Sequence, residues 1–312
     1  MSAPREQGRF HNVEAPGSKT LREVLHWQRH RRPAPWPRWI EDAPQPAPVA
    51  LDAEGLSATF IGHASFYLRI GGQGVLLDPI WSARCSPLPF LGPKRVRAPG
   101  QALAALPGVD LLLVSHNHYD HMDLPTLRQV RRRWAPPTLT GLENARHLRK
   151  AGLVARELDW WQQAEVAGLR VTYVPAQHFS ARGLGDRNRS LWGGFVVQSA
   201  AHTVYFAADS GWCGHFAEVA ARFPRIDLAL LPIGAYEPRH FMRTQHVNPE
   251  EAVRAHAVLR PRQSIGMHFG TFAGLTDEAI DAPEQALAEA RAAQGVAAGD
   301  FITLPFGGTW LG

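Results

Sequence analysis

The spacing of hydrophobic positions along the chain changes near residue 56. From there, apolar and β-branched residues come in short runs, which is the pattern of strands buried on one or both faces. The runs 56–70 and 73–81 flank Gly71 and Gly72, so we expect them to form a hairpin. Further strands are predicted over residues 109–115, 136–142, 169–174, 194–198, 203–207, 228–233, 264–267 and 301–304.

Segments with helical spacing separate many of these strands, over residues 124–134, 144–152, 216–223, 249–258 and 282–294. We expect Asp123 to cap the first of them. This alternation favours sheet layers covered by helices. No short repeat and no break in composition follows residue 55, so the sequence predicts one catalytic domain over residues 56–312.

Residues 1–55 differ from the rest and are predicted to form a Pro/Trp-rich N-terminal arm. Proline lacks a backbone donor and fixes its own φ, so the stretch 29–50 disfavours both helix and sheet. We expect an extended arm that packs on the domain through Trp27, Trp36 and Trp39. Contact of this basic, aromatic arm with membrane lipid is the alternative.

The overall composition is that of an ordinary globular protein, with 45% hydrophobic and 20% charged residues among 312. No apolar run approaches the roughly 20 residues of a membrane helix. The N-terminus lacks the hydrophobic stretch of a signal peptide, so the expected location is the cytoplasm. Cys85 and Cys213 are the only cysteines and are expected to be reduced thiols.

A net charge of +5 and a pI near 9.6 would suit nucleic acid, an anionic membrane or a phosphate-bearing substrate. The short basic clusters at residues 30–32 and 131–133 are typical of solvated surface. A nucleic-acid-binding protein or nuclease is therefore a competing hypothesis. The sequence offers no paired aromatic and basic stacking platform, so no nucleic-acid partner is expected.

The strongest chemical pattern is His116, His118, Asp120 and His121, directly after the apolar run 111–114. A strand places alternate side chains on one face, which lets the first two histidines converge. Imidazole nitrogen and carboxylate oxygen suit Zn²⁺, Fe or Mn²⁺. Without a metal, gathering these groups at a buried strand end would carry an uncompensated desolvation cost.

Three later residues, His178, Asp209 and His268, have the same setting at the end of an apolar strand. Singly, each is more often a structural or surface residue. Together they supply the one ligand per loop that a site at a sheet edge needs. The sequence therefore predicts a two-metal hydrolytic centre.

The motif HNHYDH with these later residues resembles the metallo-β-lactamase fold superfamily. The stretches FIGHASFYLRI, LLDPIWSARCSP, FAADSGW, LPIGAYEPRHFM and MHFGTF are similar to those of the N-acylphosphatidylethanolamine-hydrolysing phospholipase D family and its bacterial relatives. The resemblance covers about residues 56–290 and does not extend to the arm. It implies an α/β fold, the four-layer αββα sandwich of the metallo-β-lactamase type.

The resemblance also implies a ligand set. One metal would be held by His116, His118 and His178, the other by Asp120, His121 and His268, with Asp209 bridging them. The implied cofactors are two divalent ions, with Zn²⁺ expected and Fe or Mn left open.

The implied activity is a phospholipase D-type phosphodiesterase that acts on N-acylphosphatidylethanolamine-like phospholipids through a hydroxide bridging the two ions. Asp120 and Asp209 are expected to be catalytic, and Asp120 would also orient the water. By resemblance, Tyr119 and His246 contact the substrate, with Gln245 beside them. His246 would bind phosphate or protonate the leaving group, the alternative being a histidine that caps the helix after Asn248.

Supporting roles are predicted for His63 beneath the metals and for Asp78, which would orient a ligand histidine. Gly234, Tyr236 and Arg239 are expected to lie in a loop that borders the substrate cavity. Hydrolysis of lactones, amides, thioesters or cyclic and sugar phosphates by the same centre is the alternative activity. The expected partners are a phospholipid or another phosphodiester and a peripheral membrane surface, and a homodimer is left open.

Overall fold

The structure, a computed structural model, describes residues 2–14, 21–183 and 185–312, apart from the side chains of Leu21 and Val24. The strands are β1 (Arg5–Glu6), β2 (Arg9–Phe10), β3 (Leu56–Gly62), β4 (Ser65–Ile70), β5 (Gln73–Leu77), β6 (Lys94–Arg95), β7 (Leu111–Val114), β8 (Thr138–Gly141), β9 (Ala155–Leu158), β10 (Gln163–Val166), β11 (Leu169–Val174), β12 (Gly194–Gln198), β13 (Thr203–Phe206), β14 (Leu228–Pro232), β15 (Gln263–Met267), β16 (Phe272–Ala273), β17 (Phe301–Ile302) and β18 (Thr309–Leu311). The helices are α1 (Leu21–His30), α2 (Leu124–Arg133), α3 (Ala145–Leu148), α4 (His215–Arg222), α5 (Arg239–Met242), α6 (Pro249–Leu259) and α7 (Ala282–Gln294).

Two seven-stranded mixed sheets form the body of the protein. The first has the order β18-β3-β4-β5-β7-β8-β9 and changes from antiparallel to parallel at β5. The second has the order β10-β11-β12-β13-β14-β15-β17 and makes the same change at β13. Helices cover the outer faces, so the expected four-layer αββα sandwich is confirmed.

The central strand β7 is buried on both faces because it lies inside this sandwich. Leu111 and Leu113 belong to the core between the sheets, while Leu112 and Val114 pack in a second core with Leu127 of α2. A strand with two buried faces has a continuous apolar sequence instead of an alternating one. The chain emerges from β7 directly into the histidine motif, which fixes where the motif lies.

Two expectations about helix ends and the arm differ from the structure. Asp123 occupies the predicted N-cap position of α2, but its carboxylate accepts hydrogen bonds from the hydroxyls of Ser82 and Thr126 and not from a helix N–H, so the expected side-chain cap is not made. The arm contains the unpredicted helix α1 and the small hairpin β1-β2.

The three tryptophans of the arm behave differently. Trp27 stacks on Phe241, and Nε1 of Trp36 donates to the carbonyl of Glu278, 2.9 Å away. Trp39 remains 48% exposed. Residue 1 and residues 15–20 of the arm lie outside the described residues, and the division into arm and domain stays a prediction.

Cys85 and Cys213 are free, buried thiols, as expected. None of the helices in the described part of the chain has the length and apolar composition that crossing a bilayer requires.

Candidate metal centre

The histidines and aspartates of the predicted centre all follow the ends of strands at one edge of the two sheets. The HNHYDH motif follows β7, His178 follows β11, Asp209 follows β13, and His268 directly follows β15. The carboxyl ends of parallel strands meet at the same edge of a sheet, and ligand sites form there. Both sheets therefore contribute to one site, as the sequence predicted.

The first cluster joins His116, His118, His178 and Asp209. Nε2 of His116 lies 2.9 Å from Nδ1 of His118, which in turn lies 3.2 Å from Nε2 of His178. Oδ2 of Asp209 is 3.6 Å from Nε2 of His178. Except for His118, these side chains are almost completely buried.

The second cluster joins Asp120, His121, His268 and the supporting residue His63. Nε2 of His268 lies 3.4 Å from Oδ2 of Asp120 and 3.1 Å from Oδ1 of Asp209. Nε2 of His121 lies 3.1 Å from the other oxygen of Asp209. Asp209 therefore contacts both clusters, which is the position predicted for a bridging ligand.

The donor set fits divalent metal ions. Tetrahedral ligands at the zinc–nitrogen distance of about 2.0–2.1 Å lie roughly 3.3 Å from one another, close to the spacings within each cluster. Nε2 of His268 and Oδ1 of Asp209 are buried and make no hydrogen bond of acceptable geometry to any described residue. A buried polar atom without a partner is costly, and a metal ion would satisfy both atoms. The clusters can therefore bind metals, while the assignment of each ligand to an ion stays a prediction.

The pKa values of the predicted ligand histidines differ between the two clusters. Burial opposes charge on His268, but the carboxylates of Asp209 and Asp120 raise its pKa to about 9. Burial lowers the pKa of His116 and His178 well below its usual range, and that of His118 to about 4. These rings are neutral near pH 7, which is the form that binds metals. Burial opposes charge on His121 as well, but the carboxylates of Asp209 and Asp120 raise its pKa well above its usual range.

Supporting residues fix the ligands in the way that the sequence suggested. Nε2 of His63 is 2.9 Å from Oδ2 of Asp120, and Nδ1 of His121 is 2.7 Å from Oδ2 of Asp78. A carboxylate behind a histidine fixes its tautomer and the orientation of its ring.

Four residues in the loops that build the centre have positive φ angles. His63, Asp78, Ala208 and His268 have φ between 37° and 65°, a region that non-glycine residues seldom adopt. Each such residue costs about 1–3 kcal/mol and persists only where surrounding contacts impose it. Position 234 requires glycine for a different reason, because a Cβ there would lie 2.2 Å from the carbonyl oxygen of His268.

A cavity of about 380 Å³ opens onto the two clusters. His118, Asp120, Asp209, His246 and His268 line its polar end. Its other walls are mostly apolar and include Trp27, Phe179, Phe241, Met242 and Leu275. Such a cavity has the mixed lining of a small-molecule site, with a few convergent polar groups in an apolar surround.

The predicted substrate contacts all line this cavity, with some differences in detail. The hydroxyl of Tyr119 donates to the carbonyl of Arg182, and the guanidinium of Arg182 lies over its ring. The carbonyl of Gln245 accepts a hydrogen bond from Nδ1 of His178, a role that the sequence did not suggest. The capping interpretation of His246 is wrong, because Asn248 caps α6 in a capping box with Glu251.

The loop of Gly234, Tyr236 and Arg239 borders the cavity as expected, but these three residues do not line it and instead contact other parts of the chain. Gly234 packs on the backbone of His268, and Arg239 binds the carbonyl of His246 and the carboxylate of Glu251. Tyr236 is buried. The cavity wall in this region is formed by Ala235, Phe241 and Met242.

Sequence reasoning missed Arg182, whose guanidinium donates to the carbonyls of Asn117 and Met122 and so holds the histidine loop. It also missed that Trp27 lines the cavity. Neither residue has a local sequence signal, because each contact joins segments far apart in the chain.

Comparisons with known proteins agree with this architecture. A family model of the beta-lactamase superfamily domain matches residues 73–269. An N-acyl-phosphatidylethanolamine-hydrolyzing phospholipase D 1 from Caenorhabditis elegans is 37% identical over 273 residues, which cover 82% of this chain and 76% of the relative. A mitochondrial enzyme of the same description from Saccharomyces cerevisiae is 32% identical over 69% of this chain, which spans 47% of that relative's length.

Among solved structures, a metallo hydrolase from the archaeon Ignicoccus hospitalis is similar with a TM-score of 0.63 and 22% sequence identity. The match covers 83% of this chain and 98% of that protein. At this identity the likeness shows the fold alone.

Proposed function

This chain belongs to the beta-lactamase superfamily and, within it, to the N-acylphosphatidylethanolamine-hydrolysing phospholipase D family, and from that premise we propose a phospholipase D-type activity. At the coarser level, the protein is a metal-dependent hydrolase. The proposed substrate is an N-acylphosphatidylethanolamine-like phospholipid. The observation that carries this proposal is that the two His/Asp clusters lie at the polar end of an otherwise apolar cavity.

The two ends of the cavity suit the two parts of such a substrate. A phosphodiester is anionic and would lie against the clusters, whereas an acyl chain would lie along Trp27, Phe179 and Phe241. Burying acyl methylenes contributes about 0.8 kcal/mol each, so an apolar wall strengthens binding of a lipid over that of a short diester.

The proposed ligand set is the one that the sequence implies, with Zn²⁺ as the expected ion. His116, His118 and His178 would hold one ion, Asp120, His121 and His268 the other, and Asp209 would bridge them. When bound, two divalent ions supply Lewis acidity towards the phosphoryl group and lower the pKa of a water.

The remaining steps depend on residues of the chain. Asp120, held by His63 at 2.9 Å, would orient the attacking water. The water adds to phosphorus in line, and the bond from phosphorus to the N-acylethanolamine oxygen breaks. The products are phosphatidic acid and an N-acylethanolamine, whose oxygen takes up, through solvent, the proton that the attacking water gives up.

His246 would bind the phosphoryl group by a hydrogen bond. Its ring centroid lies 5.0 Å from that of His178 and 5.5 Å from that of His268, at the polar end of the cavity. Burial lowers the pKa of His246 to about 4, so its ring is neutral at pH 7. A neutral imidazole donates a hydrogen bond through one nitrogen, which supports phosphate binding over protonation of the leaving group. Tyr119 and Gln245 would contact the substrate beside it.

We also propose that the loop after Cys85 contacts the lipid surface. Leu88, Phe90 and Leu91 are 42%, 74% and 62% exposed, and Cys85 at the start of this loop lines the cavity. A Phe90→Ser, Leu91→Ser double variant should lose most co-sedimentation with vesicles of phosphatidylcholine and phosphatidylserine. Val154→Ser, at a residue that is 89% exposed, is the matched control and should bind like the wild type. Equal binding of all three proteins would contradict the contact.

The activity is tested with Asp209→Ala, because Asp209 joins both clusters. The wild type should hold close to two ions per chain and hydrolyse both N-acylphosphatidylethanolamine and bis-p-nitrophenyl phosphate. The variant should lose metal and at least about a hundredfold in turnover. The control Asp52→Ala, at an exposed turn, should keep both its metal and its turnover.

A substrate panel separates this activity from its alternative. A lactone and a thioester are compared with the two phosphodiesters at equal concentration. Faster hydrolysis of the lactone or thioester would replace the phosphodiesterase proposal by one for another ester class. Unchanged turnover in Asp209→Ala would contradict the metal centre itself.

A further inference from the structure

Residues 2–14 include a stretch that lies against the loop that carries His178. Phe10 is 1% exposed, and its N–H donates to the carbonyl of Asn188, 2.7 Å away. The N–H of Ala3 donates to the carboxylate of Asp159 at 2.9 Å. These contacts fix the segment on the loops before β10 and after β11, although it lies outside residues 73–269, which match the family model.

Asn12 makes two hydrogen bonds with the backbone of a single residue, His178. Its Nδ2 donates to the carbonyl oxygen of His178 at 2.9 Å, and its Oδ1 accepts from the N–H of His178 at 3.1 Å. A carboxamide presents a donor and an acceptor in one plane. The side chain of Asn12 therefore pairs with the N–H and the carbonyl of His178 in the way that the backbone of a neighbouring strand would. The same Oδ1 accepts from Nε1 of Trp192 at 3.0 Å, which holds the carboxamide in place.

Glu14 extends the contact on both sides of this loop. Its carbonyl accepts from Nε2 of Gln177 at 2.9 Å, and its carboxylate accepts from the N–H of Gly214 at 2.7 Å. Gln177 is also bridged to Gly211, two residues after Asp209. The segment therefore contacts the loops that carry two of the predicted ligands.

The ring of His178 is fixed separately from its backbone. Nδ1 of the ring donates to the carbonyl of Gln245 at 2.9 Å, which leaves Nε2 directed at the cluster. A ligand is preorganised when both its backbone position and its ring rotation are restrained. Asn12 supplies the first restraint and Gln245 the second.

We propose that Asn12 is a positioning residue of the metal centre, which holds the backbone of His178 so that its Nε2 meets the ion bound by His116 and His118. This role rests on the proposed ligand set, in which His178 binds a metal ion, but not on the identity of the substrate. Loss of a residue that orients a ligand typically costs about 10–100-fold in metal affinity.

The test measures metal binding directly. Three variants are purified in the metal-loaded form: Asn12→Ala, Asn12→Asp and the control Val13→Ala. Val13 is the control because it lies beside Asn12 and is 54% exposed. The release of ions to a colorimetric chelator is followed over time, and Co²⁺-substituted protein is compared by its visible absorption. We expect one of the two ions to leave Asn12→Ala at least about tenfold faster than it leaves Val13→Ala, with a changed Co²⁺ spectrum.

Asn12→Asp keeps the acceptor for His178 N–H but loses the donor to its carbonyl. Its second carboxylate oxygen would face that carbonyl and repel it, so this variant should also release an ion faster than Val13→Ala, and it serves as the deciding variant if Asn12→Ala does not fold. Equal release rates and spectra in the Asn12 and Val13 variants would overturn the proposal, even if the Asn12 variants unfold at a lower temperature. If the substrate panel favours a lactone or a thioester while the Asn12 variants still release an ion faster, the phospholipase proposal is contradicted and the role of Asn12 is supported.

Discussion

Nδ1 of His121 lies 2.7 Å from a carboxylate oxygen of Asp78, and both side chains are fully buried. The other oxygen of Asp78 accepts from the backbone N–H of Ser115, also at 2.7 Å. One aspartate thereby ties the end of β7 to a predicted ligand six residues later. It fixes both the path of the histidine loop and the tautomer of His121.

Asp78→Asn should therefore lower the affinity for one ion by about 10–100-fold, since a neutral amide holds the His121 ring less firmly. The measurement is competition with a chelator of known affinity. Asp110→Asn is the control, because Asp110 accepts from the N–H of Gly74 at the opposite end of β7. Equal affinities in the two variants would contradict the role of Asp78.

Gly234→Ala should displace His268 and reduce both metal content and hydrolysis. The added methyl group would lie 2.2 Å from the carbonyl oxygen of His268, which is far below a normal contact, so one of the two loops must move. Metal analysis and turnover of bis-p-nitrophenyl phosphate measure the effect. Gly108→Ala is the control, since a Cβ there meets no atom within 4 Å. A variant with full metal content would refute the importance of this close approach.

Trp27→Ala should weaken binding of long-chain substrates without affecting small ones. Trp27 stacks on Phe241 with ring centroids 4.8 Å apart and lines the apolar part of the cavity. We expect KM for N-acylphosphatidylethanolamine to rise roughly tenfold, equivalent to about 1.4 kcal/mol. Turnover of bis-p-nitrophenyl phosphate should stay within about twofold, and Gln28→Ala, on the exposed side of α1, should change neither. A parallel loss on both substrates would indicate a structural role for Trp27 instead.

The buried ring of His215 should lower the free energy of unfolding in mild acid, because protonation of this ring favours the unfolded state. Burial lowers the pKa of His215 to about 3, against about 6.5 in an unfolded chain, so the folded state keeps this ring neutral. Between these values the unfolded state binds a proton that the folded state does not. The free energy of unfolding is therefore unaffected by this group above pH 6.5 and decreases as the pH falls below it.

The expected decrease between pH 7 and pH 5 is about 2 kcal/mol. Urea unfolding of the wild type and of His215→Gln at both pH values measures it, and the variant should show a smaller pH dependence by that amount. Identical differences in the two proteins would show that His215 does not titrate as described.

The sequence predicted the strands and helices of the sandwich best where burial dominates. The predicted ranges 169–174, 194–198 and 282–294 coincide with β11, β12 and α7, because apolar runs and amphipathic spacing are local signals. The edge strand β10, with the sequence QAEV, was missed because its alternation of polar and apolar residues extends over only four positions. The three-residue strand β18 depends on pairing with β3, about 250 residues earlier.

The convergence of His116, His178, Asp209 and His268 was predictable because strand ends at one sheet edge must meet. The sequence could not predict that Asn12 and Trp27 contribute to the site, because their partners lie 166 and more than 200 residues away. Contacts of that range depend on how the segments dock, which no local pattern encodes. The same holds for Asp123, whose carboxylate accepts a hydrogen bond from the distant Ser82, a partner that the local sequence does not reveal.

The assembly of the centre from strand ends of both sheets also constrains how the protein folds. The predicted ligands extend from His116 to His268, so the site does not exist until both sheets have formed and docked. Contacts between such distant segments are formed late because closing long loops costs entropy. Tight ion capture should therefore coincide with the last step of refolding, and the appearance of a bound-Co²⁺ spectrum would time the completion of the native state.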